Sequence, residues 1–417
     1  MPLNFFAQGY TSYYTGNTTN ITTNPEFGVC LMGGATEHDN AMRWLLQKAN
    51  GGDVVVLRSS GSNGYNNYLY SELGVSVNSV ETLVITSVAG AINPYVLDKV
   101  ANAEMIWFAG GDQWNYVSFF KNNALEDILN NHINIKNAPI GGTSAGMAIL
   151  GLAYFSAQNG SVTSSQAMNN PYNSNITIGF NDFLSVPFLE NVITDTHYDN
   201  PDRRGRHSTF LAKMKKDLSV VMRGIACNEY VAVCFGNDGK AYVYGDYPNY
   251  DEFAYFIQPN CNSANAVENC QAGQPLTWSF GGEALKAYKV PGTMNGTNYF
   301  DLNNWENGIG FGGSWEHWSV NNGIFAFDTG TSPDCVLDLN DNELVEVSIT
   351  PNPFSDFIII NTIENTKIKM FDVQGRICLE TKLSTNNKID TSFLSKGLYV
   401  IELINDKKST FRKLIKQ

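Results

Sequence analysis

The chain has 417 residues, 27 Lys and Arg against 40 Asp and Glu, and a net charge of −13. That balance excludes nucleic acid as an expected partner, because phosphate binding relies on clustered cations. Hydrophobic residues make up 43%, enough for a core, and no apolar run approaches the roughly 20 residues that span a bilayer.

Residues 1–26 read as an N-terminal segment. Met1–Gly9 has no basic n-region and no apolar h-region, so it holds no complete signal peptide. Phe5-Phe6-Ala7-Gln8 is either the tail of one or part of an ordinary cytosolic start. From residue 27 a rhythm sets in. The apolar run 27–34 ends on Gly33-Gly34, Ala41–Ala49 has helical spacing, and Asp53–Arg58 is a buried strand. Thr82–Thr86, a helix over Pro94–Asn102, Glu104–Ala109, a helix near Trp114–Asn130 and Ala138-Pro139-Ile140 repeat the theme. Short apolar strands alternating with helices predict an α/β fold, a doubly wound parallel sheet. Gly33-Gly34, Ser59-Ser60-Gly61, Gly110-Gly111-Asp112 and Gly141–Gly146 follow strand carboxyl ends, the edge where ligands of such sheets bind.

Residues 27–335 form the expected α/β domain, with a β-rich extension from about residue 236 that is dense in Tyr, Trp, Gly and Asn. Its aromatic stripe could line a sugar-binding groove, though core and loop packing is the plainer reading. Residues 336–346 are an acidic linker. Residues 347–417 carry 11 Lys and Arg against 7 Asp and Glu, a net of +4 against −17 for the rest, and alternate short β-prone runs with turns. A small all-β sandwich is predicted there. Seven cysteines occur without metal-type CxxC spacing. Cys261 and Cys270 are spaced to close a bridge in an oxidising compartment. No metal and no cofactor are expected, since the phosphate-binding glycine motifs are missing as well.

The tail resembles the C-terminal sorting domain of the type IX secretion system of Bacteroidetes. The resemblance rests on Pro351-Asn352-Pro353-Phe354, Met370–Arg376, Leu394–Val400 and Phe411–Ile415. It implies type IX secretion machinery as a partner and export across the outer membrane to the cell surface or beyond. It also favours a lost signal peptide at the N-terminus.

Gly142-Thr143-Ser144-Ala145-Gly146 matches G-x-S-x-G, a strand-to-helix turn that exposes a serine as a nucleophile. Its glycines keep the turn tight, and the helix expected behind it, over the apolar run Met147–Phe155, presents N–H groups. A serine needs a base. Of the five histidines, His197 follows the β-like run Asn191–Thr196 and is the candidate. Arg203, Arg204 and Arg206 cluster nearby and suit bidentate carboxylate binding.

Residues 27–235 resemble the cyanophycinase branch of the S51 serine peptidases. The matching pieces are Leu31–Gly34, Phe108–Gln113, Gly141–Gly146, Asp195–Arg206 and Gly224–Val233, in the family's order. The resemblance implies a flavodoxin-like fold akin to class I glutamine amidotransferases and cleavage next to aspartyl residues; cyanophycinases proper release β-aspartyl-arginine. It implies Ser144 as nucleophile, His197 as base, amides of Gly111 and Asp112 as oxyanion hole, and Gln113, Asp195, Arg203 and Arg206 as substrate-binding. The expected partner is a peptide or a small acidic substrate; the oligomeric state is left open. Two departures stand out. Thr196 and Pro201 replace a glutamine and an arginine of the family pattern, with Arg204 a candidate to compensate. The family's third triad member is an acid soon after the serine, yet residues 144–181 contain no Asp or Glu. Gln166 is the candidate to orient the imidazole, with Asp182 and Glu190 as alternatives. The expected mechanism is acyl transfer. The rival is a catalytically weak or dead peptidase fold acting as a secreted binding protein, and a third reading is an esterase or amidase.

Overall fold

The structure is a computed structural model. It describes residues 8–262, 265–333, 348–361, 366–372, 374–383, 387–405 and 408–417. The expected linker at 336–346 and Phe5-Phe6-Ala7 lie outside the described residues. The chain divides into two units, 1–335 and 336–417.

In chain order the first unit contains strands β1 (Tyr10–Gly16), β2 (Val29–Met32), β3 (Asp53–Arg58), β4 (Ser79–Ile85), β5 (Met105–Phe108) and β6 (Ile140–Thr143). Then come β7 (Ala153–Phe155), β8 (Ile178–Phe180), β9 (Val192–Asp195), β10 (Arg223–Cys227), β11 (Ala232–Phe235) and β12 (Lys240–Tyr244). The extension adds β13 (Phe253–Pro259), β14 (Leu285–Pro291), β15 (Asn298–Asp301), β16 (Gly310–Phe311), β17 (Ser314–Asn321) and β18 (Ile324–Thr329). Helices are α1 (Asp39–Lys48), α2 (Val88–Ala91), α3 (Pro94–Asn102), α4 (Gln113–Phe120), α5 (Ala124–Asn134), α6 (Ala145–Ala148), α7 (Ser164–Asn169) and α8 (Arg204–Leu218).

The fold is α/β with parallel cores, but the strands divide between two sheets. The first runs β1-β4-β3-β5-β6-β2-β11-β12-β15-β16, and its central five strands, β4 to β2, are parallel. Its all-apolar strands follow from burial on both faces: α1 covers one, and α3, α4 and α5 cover the other. The second runs β18-β17-β14-β13-β10-β9-β7-β8, with β7, β9 and β10 parallel. The extension therefore lengthens both sheets.

Several local expectations change. Tyr10–Gly16, placed in a separate N-terminal segment, pairs antiparallel with β4 as an edge strand of the first sheet. The helix expected over Trp114–Asn130 breaks at Lys121–Asn123, where Asn122 adopts φ 61° and Asn123 caps α5 through the Leu125 amide. The apolar run Met147–Phe155 is not one helix. Gly151 approaches the Val192 carbonyl so closely that a Cβ would lie 2.5 Å from it, and the chain turns there into β7. Part of the aromatic stripe packs inward, with Phe256 stacked on Phe300 at 4.7 Å and Trp305 against Phe300 at 4.8 Å, while Tyr247, Tyr250, Phe311 and Phe327 are exposed. Cys261 is disulfide-bonded but Cys270 is a free buried thiol, so the two do not bridge.

The second unit forms two sheets. One is β19 (Ser348–Thr350), β20 (Phe357–Asn361) and β23 (Lys388–Asp390); the other orders β22 (Ile377–Lys382), β21 (Lys367–Phe371), β24 (Gly397–Asn405) and β25 (Lys408–Lys416). Alternation along β20 and β21 puts Ile358, Ile360, Ile368 and Met370 into a small core with Ile401, Leu403 and Leu414.

Candidate active site

Ser144 stands at the β6–α6 junction with φ 52° and ψ −115°, a backbone state that persists only where the surroundings enforce it. The flanking glycines are steric requirements. A Cβ on Gly142 would lie 2.5 Å from the Gly146 carbonyl carbon, and one on Gly146 2.2 Å from the Phe108 oxygen. The Ser144 N–H donates to Met32 O at 3.0 Å, fixing the turn to β2.

His197 leaves the carboxyl end of β9, in the other sheet, and its N–H donates to Gly33 O at 2.7 Å. The Ser144 hydroxyl and His197 Nε2 lie 2.8 Å apart. On the far side of the ring, Nδ1 lies 2.6 Å from Glu229 Oε1. A carboxylate at Nδ1 takes the ring proton there and leaves Nε2 to accept from the serine. Glu229 sits in the turn that carries the chain from β10 in the second sheet to β11 in the first. Its N–H donates to Asp199 Oδ1 at 3.0 Å, and the next amide, Tyr230, donates to Gly34 O at 3.0 Å. The His197 and Glu229 side chains are 25% and 22% exposed, open enough for a substrate and sheltered enough to strengthen the pair.

Gln166 does not reach the imidazole as expected. Its Oε1 accepts from the Thr163 N–H at 3.0 Å while Thr163 Oγ1 accepts from the Gln166 N–H, a capping box that starts α7. Asp182 bonds Lys121 and Tyr154 Oη, and Glu190 is exposed. Glu229 was missed because an acid was sought between the serine and the histidine. The available signal was a single acid, between Asp217 and Asp238, separating two apolar strand runs.

The loop Gly110–Asp112 passes beside the serine, since a Cβ on Gly110 would lie 3.5 Å from Ser144 Cβ. Gly111 holds φ 147°, and Asp112 caps α4 by accepting from the Trp114 N–H at 2.9 Å. Gln113 Nε2 donates to Phe155 O at 3.3 Å.

The arginines separate in role. Arg206 is 4% exposed and grips Asp195 with Nε at 2.8 Å and Nη2 at 2.5 Å, while Nη1 donates to Val162 O at 3.2 Å. Asp195 is equally buried and also accepts from the Thr196 N–H. The two therefore pair with each other, where the expectation has them bind substrate. Arg204 forms a bidentate pair with Asp202 and lies over the Phe327 ring at 4.6 Å, so it does not compensate for Pro201. Arg203 differs: its Nη1 is 3.8 Å from Asp195, and its buried Nε has no hydrogen-bond partner among the described residues. Burial and the neighbouring Arg206 charge both disfavour its cation, a cost that an incoming anion would relieve.

Gly34 makes room for the imidazole. It holds φ 116°, and a Cβ there would lie 2.4 Å from His197 Cε1 and Nε2. Gly34→Ala is therefore expected to push the ring off the serine and lower kcat by about 10²-fold, the usual cost of a displacement near 1 Å. Steady-state kinetics against a matched substrate checks this.

Residues 64–239 match the family model for Peptidase family S51, and residues 348–417 match the Secretion system C-terminal sorting domain. The middle of the chain is thus similar to the S51 peptidases over residues 64–239. Its similarity to solved structures is distant. A peptidase from an acI-B1 Actinobacterium is 16% identical over 55% of this chain and 94% of its own, with a TM-score of 0.40. A putative peptidase E protein from Listeria monocytogenes EGD-e is 13% identical over 52% of this chain and 97% of its own, with a TM-score of 0.33. PorZ, a type IX secretion component of Porphyromonas gingivalis, is 12% identical over 43% of this chain and 29% of its own, with a TM-score of 0.16. No curated protein matches. Ser144, His197, Glu229 and the three arginines all fall within the S51 match. The sorting domain assigns the chain to type IX secretion, and so to the cell surface or beyond.

Two further histidines of the first unit are structural. His207 is buried between Tyr198 Oη and Ile193 O, each at 3.2 Å, and His132 bonds Pro139 O at 3.1 Å. Burial pushes both down to about 4. Below pH 6.5 the unfolded chain takes up protons that these folded sites refuse. Stability is therefore expected to fall as pH drops from about 6.5 toward 4, by up to about 1.4 kcal/mol per pH unit for each histidine. Urea unfolding at pH 7.5, 6 and 5 measures the slope, and His207→Gln should flatten it.

Proposed function

We propose that this chain is a secreted serine peptidase that cleaves aspartyl or β-aspartyl bonds through an acyl-enzyme. The observation that carries the reading is the contact chain from Ser144 to His197 to Glu229, at 2.8 and 2.6 Å. Ser144 Oγ attacks the carbonyl carbon as His197 Nε2 takes its proton. Glu229 holds the resulting imidazolium through Nδ1–H, and amides of Gly111 and Asp112 receive the oxyanion. The C–N bond then breaks, His197 returns the proton to the leaving amine, and water releases the acyl group by the same steps reversed.

Arg203 supplies the preference for an acidic group. Two guanidiniums share the single Asp195 carboxylate, Arg206 holds it bidentately, and Arg203 keeps donors for a second anion. Thr196, Pro201 and the engaged Arg204 argue against cyanophycin as the preferred substrate. The rival reading, an inert binding protein, drew on the missing acid, and Glu229 supplies a carboxylate where one is needed.

Hydrolysis of a panel of α- and β-aspartyl dipeptides, cyanophycin and neutral peptides, with fluorophosphonate labelling in parallel, tests the reading. Labelling at Ser144 with hydrolysis confined to aspartyl substrates is the expected result. Hydrolysis of neutral esters alone would make it an esterase. A folded protein that neither labels nor hydrolyses any of them would overturn the proposal.

A further inference from the structure

A concavity of about 700 Å³ in the first unit has none of Ser144, His197 and Glu229 in its lining. That volume is in the range of ligand sites. It is lined by the consecutive residues Ile176–Phe180, by Trp114 and Lys121 beside α4, and by Met214 and Asp217 of α8. The two helices lie on opposite faces of the second sheet. Val117 of α4 packs with Tyr154 in one core, and Met214 of α8 packs with Phe155 in the other. The concavity therefore wraps the edge of the sheet, and that edge is β8, the last strand.

The register fixes which backbone groups face it. Ser156 N–H donates to Thr177 O at 2.8 Å and Asn181 N–H donates to Leu152 O at 2.9 Å. Antiparallel pairs alternate between bonded and non-bonded, so with Phe155 opposite Ile178 and Ala153 opposite Phe180 these two pairs are non-bonded. The N–H and C=O of Ile178 and Phe180 consequently point away from β7 into the cavity. Donor and acceptor pairs repeating every second residue match one kind of ligand, an extended polypeptide backbone. Lys121 is paired with Asp182 and Lys213 with Asp217, so the walls present balanced charge and disfavour a polyanion.

The groove adjoins the candidate active site. Phe155 O, at the top of β7, accepts from Gln113, which follows the Gly110–Asp112 loop beside Ser144. We propose that the open edge of β8 docks the extended continuation of a polypeptide substrate whose scissile residue lies at Ser144. This rests on the peptidase reading and deepens it: the substrate is a polypeptide chain rather than a free dipeptide.

The test uses the full chain with Ser144→Ala and fluorescence anisotropy. The probes are a labelled octapeptide of Thr, Val and Ala around one aspartyl bond, and its two-residue core. The octapeptide is expected to bind at least about tenfold more tightly than the core, as two or more added backbone hydrogen bonds would give. N-methylation of alternate amides along one edge of the peptide should remove that gain, and along the other edge should leave it. Ile178→Pro, which deletes an outward N–H that an edge strand can lose, should remove it too. If that variant fails to fold by circular dichroism, the N-methylated peptides decide. Equal binding of octapeptide and core, or indifference to N-methylation, would overturn the proposal. So would a dimer through β8 that the peptide does not dissociate. A wild type that binds the octapeptide in this way yet never cleaves it would overturn the peptidase reading and leave β8 docking intact.

Discussion

Glu229→Gln is expected to lower kcat by about 10⁴, close to the floor set by Ser144→Ala. The amide keeps the shape but presents either a donor to Nδ1 or a neutral acceptor. The ring then loses its fixed tautomer and the imidazolium loses its counter-charge, and in the serine-protease case the equivalent change costs about that much. KM should move little, because Glu229 touches the histidine and not the scissile bond. Gln166→Ala separates this assignment from the one expected at first. Only the Gln166 half of the capping box is lost, at about 1 kcal/mol of stability or less, while kcat should remain within about twofold of wild type on the same dipeptide substrate. Comparable losses in both variants would remove Glu229 from the mechanism.

Arg206→Met is expected to destabilise the first unit by up to about 3–5 kcal/mol, because it leaves the buried Asp195 carboxylate with only the Thr196 amide and the looser Arg203 contact. Asp195→Asn combined with Arg206→Met should recover much of that loss, since the buried carboxylate and its bidentate partner are removed together. Burial alone would raise the Asp195 carboxyl, but the charge and hydrogen bonds of Arg206 hold it below its ordinary value of 3.8. The sign follows: the pair's contribution is present above about pH 4 and is lost as pH falls through the depressed value. Urea unfolding at pH 7 and pH 3.5 measures both effects. Arg203→Met is the contrast. With its guanidinium only loosely held at 3.8 Å from Asp195, it should raise KM for acidic substrates and leave the unfolding midpoint nearly unchanged.

Much of the fold was legible because it depends on short-range pattern. Asp53–Arg58 is a strand at the bounds expected, and Pro94–Asn102 is a helix at its expected bounds with Asn93 as its cap. The serine turn was legible for a related reason: a strand, two glycines and a serine within five residues determine that geometry locally. His197 was placed correctly after a strand, but in a second sheet that periodicity does not distinguish from the first. The helix breaks at Asn122 and Gly151 were not legible. One depends on a left-handed residue, and the other on how near Val192 comes.

The sequence by itself determined a basic tail after an acidic remainder, an α/β class, a candidate nucleophile with its base, and a tail bound for secretion. These are properties of composition, periodicity and contiguous motifs, each complete within a few tens of residues. Only the tertiary structure decided which acid meets the histidine, which arginine is the more loosely held and which strand edge is open. Glu229 reaches His197 because the chain crosses between two sheets at the β10–β11 turn. Arg206 and Arg203 are three residues apart, yet one turns inward to Asp195 and the other keeps an unbonded Nε. Such outcomes depend on which side chains other elements bring within about 3 Å, and sequence spacing does not encode that distance.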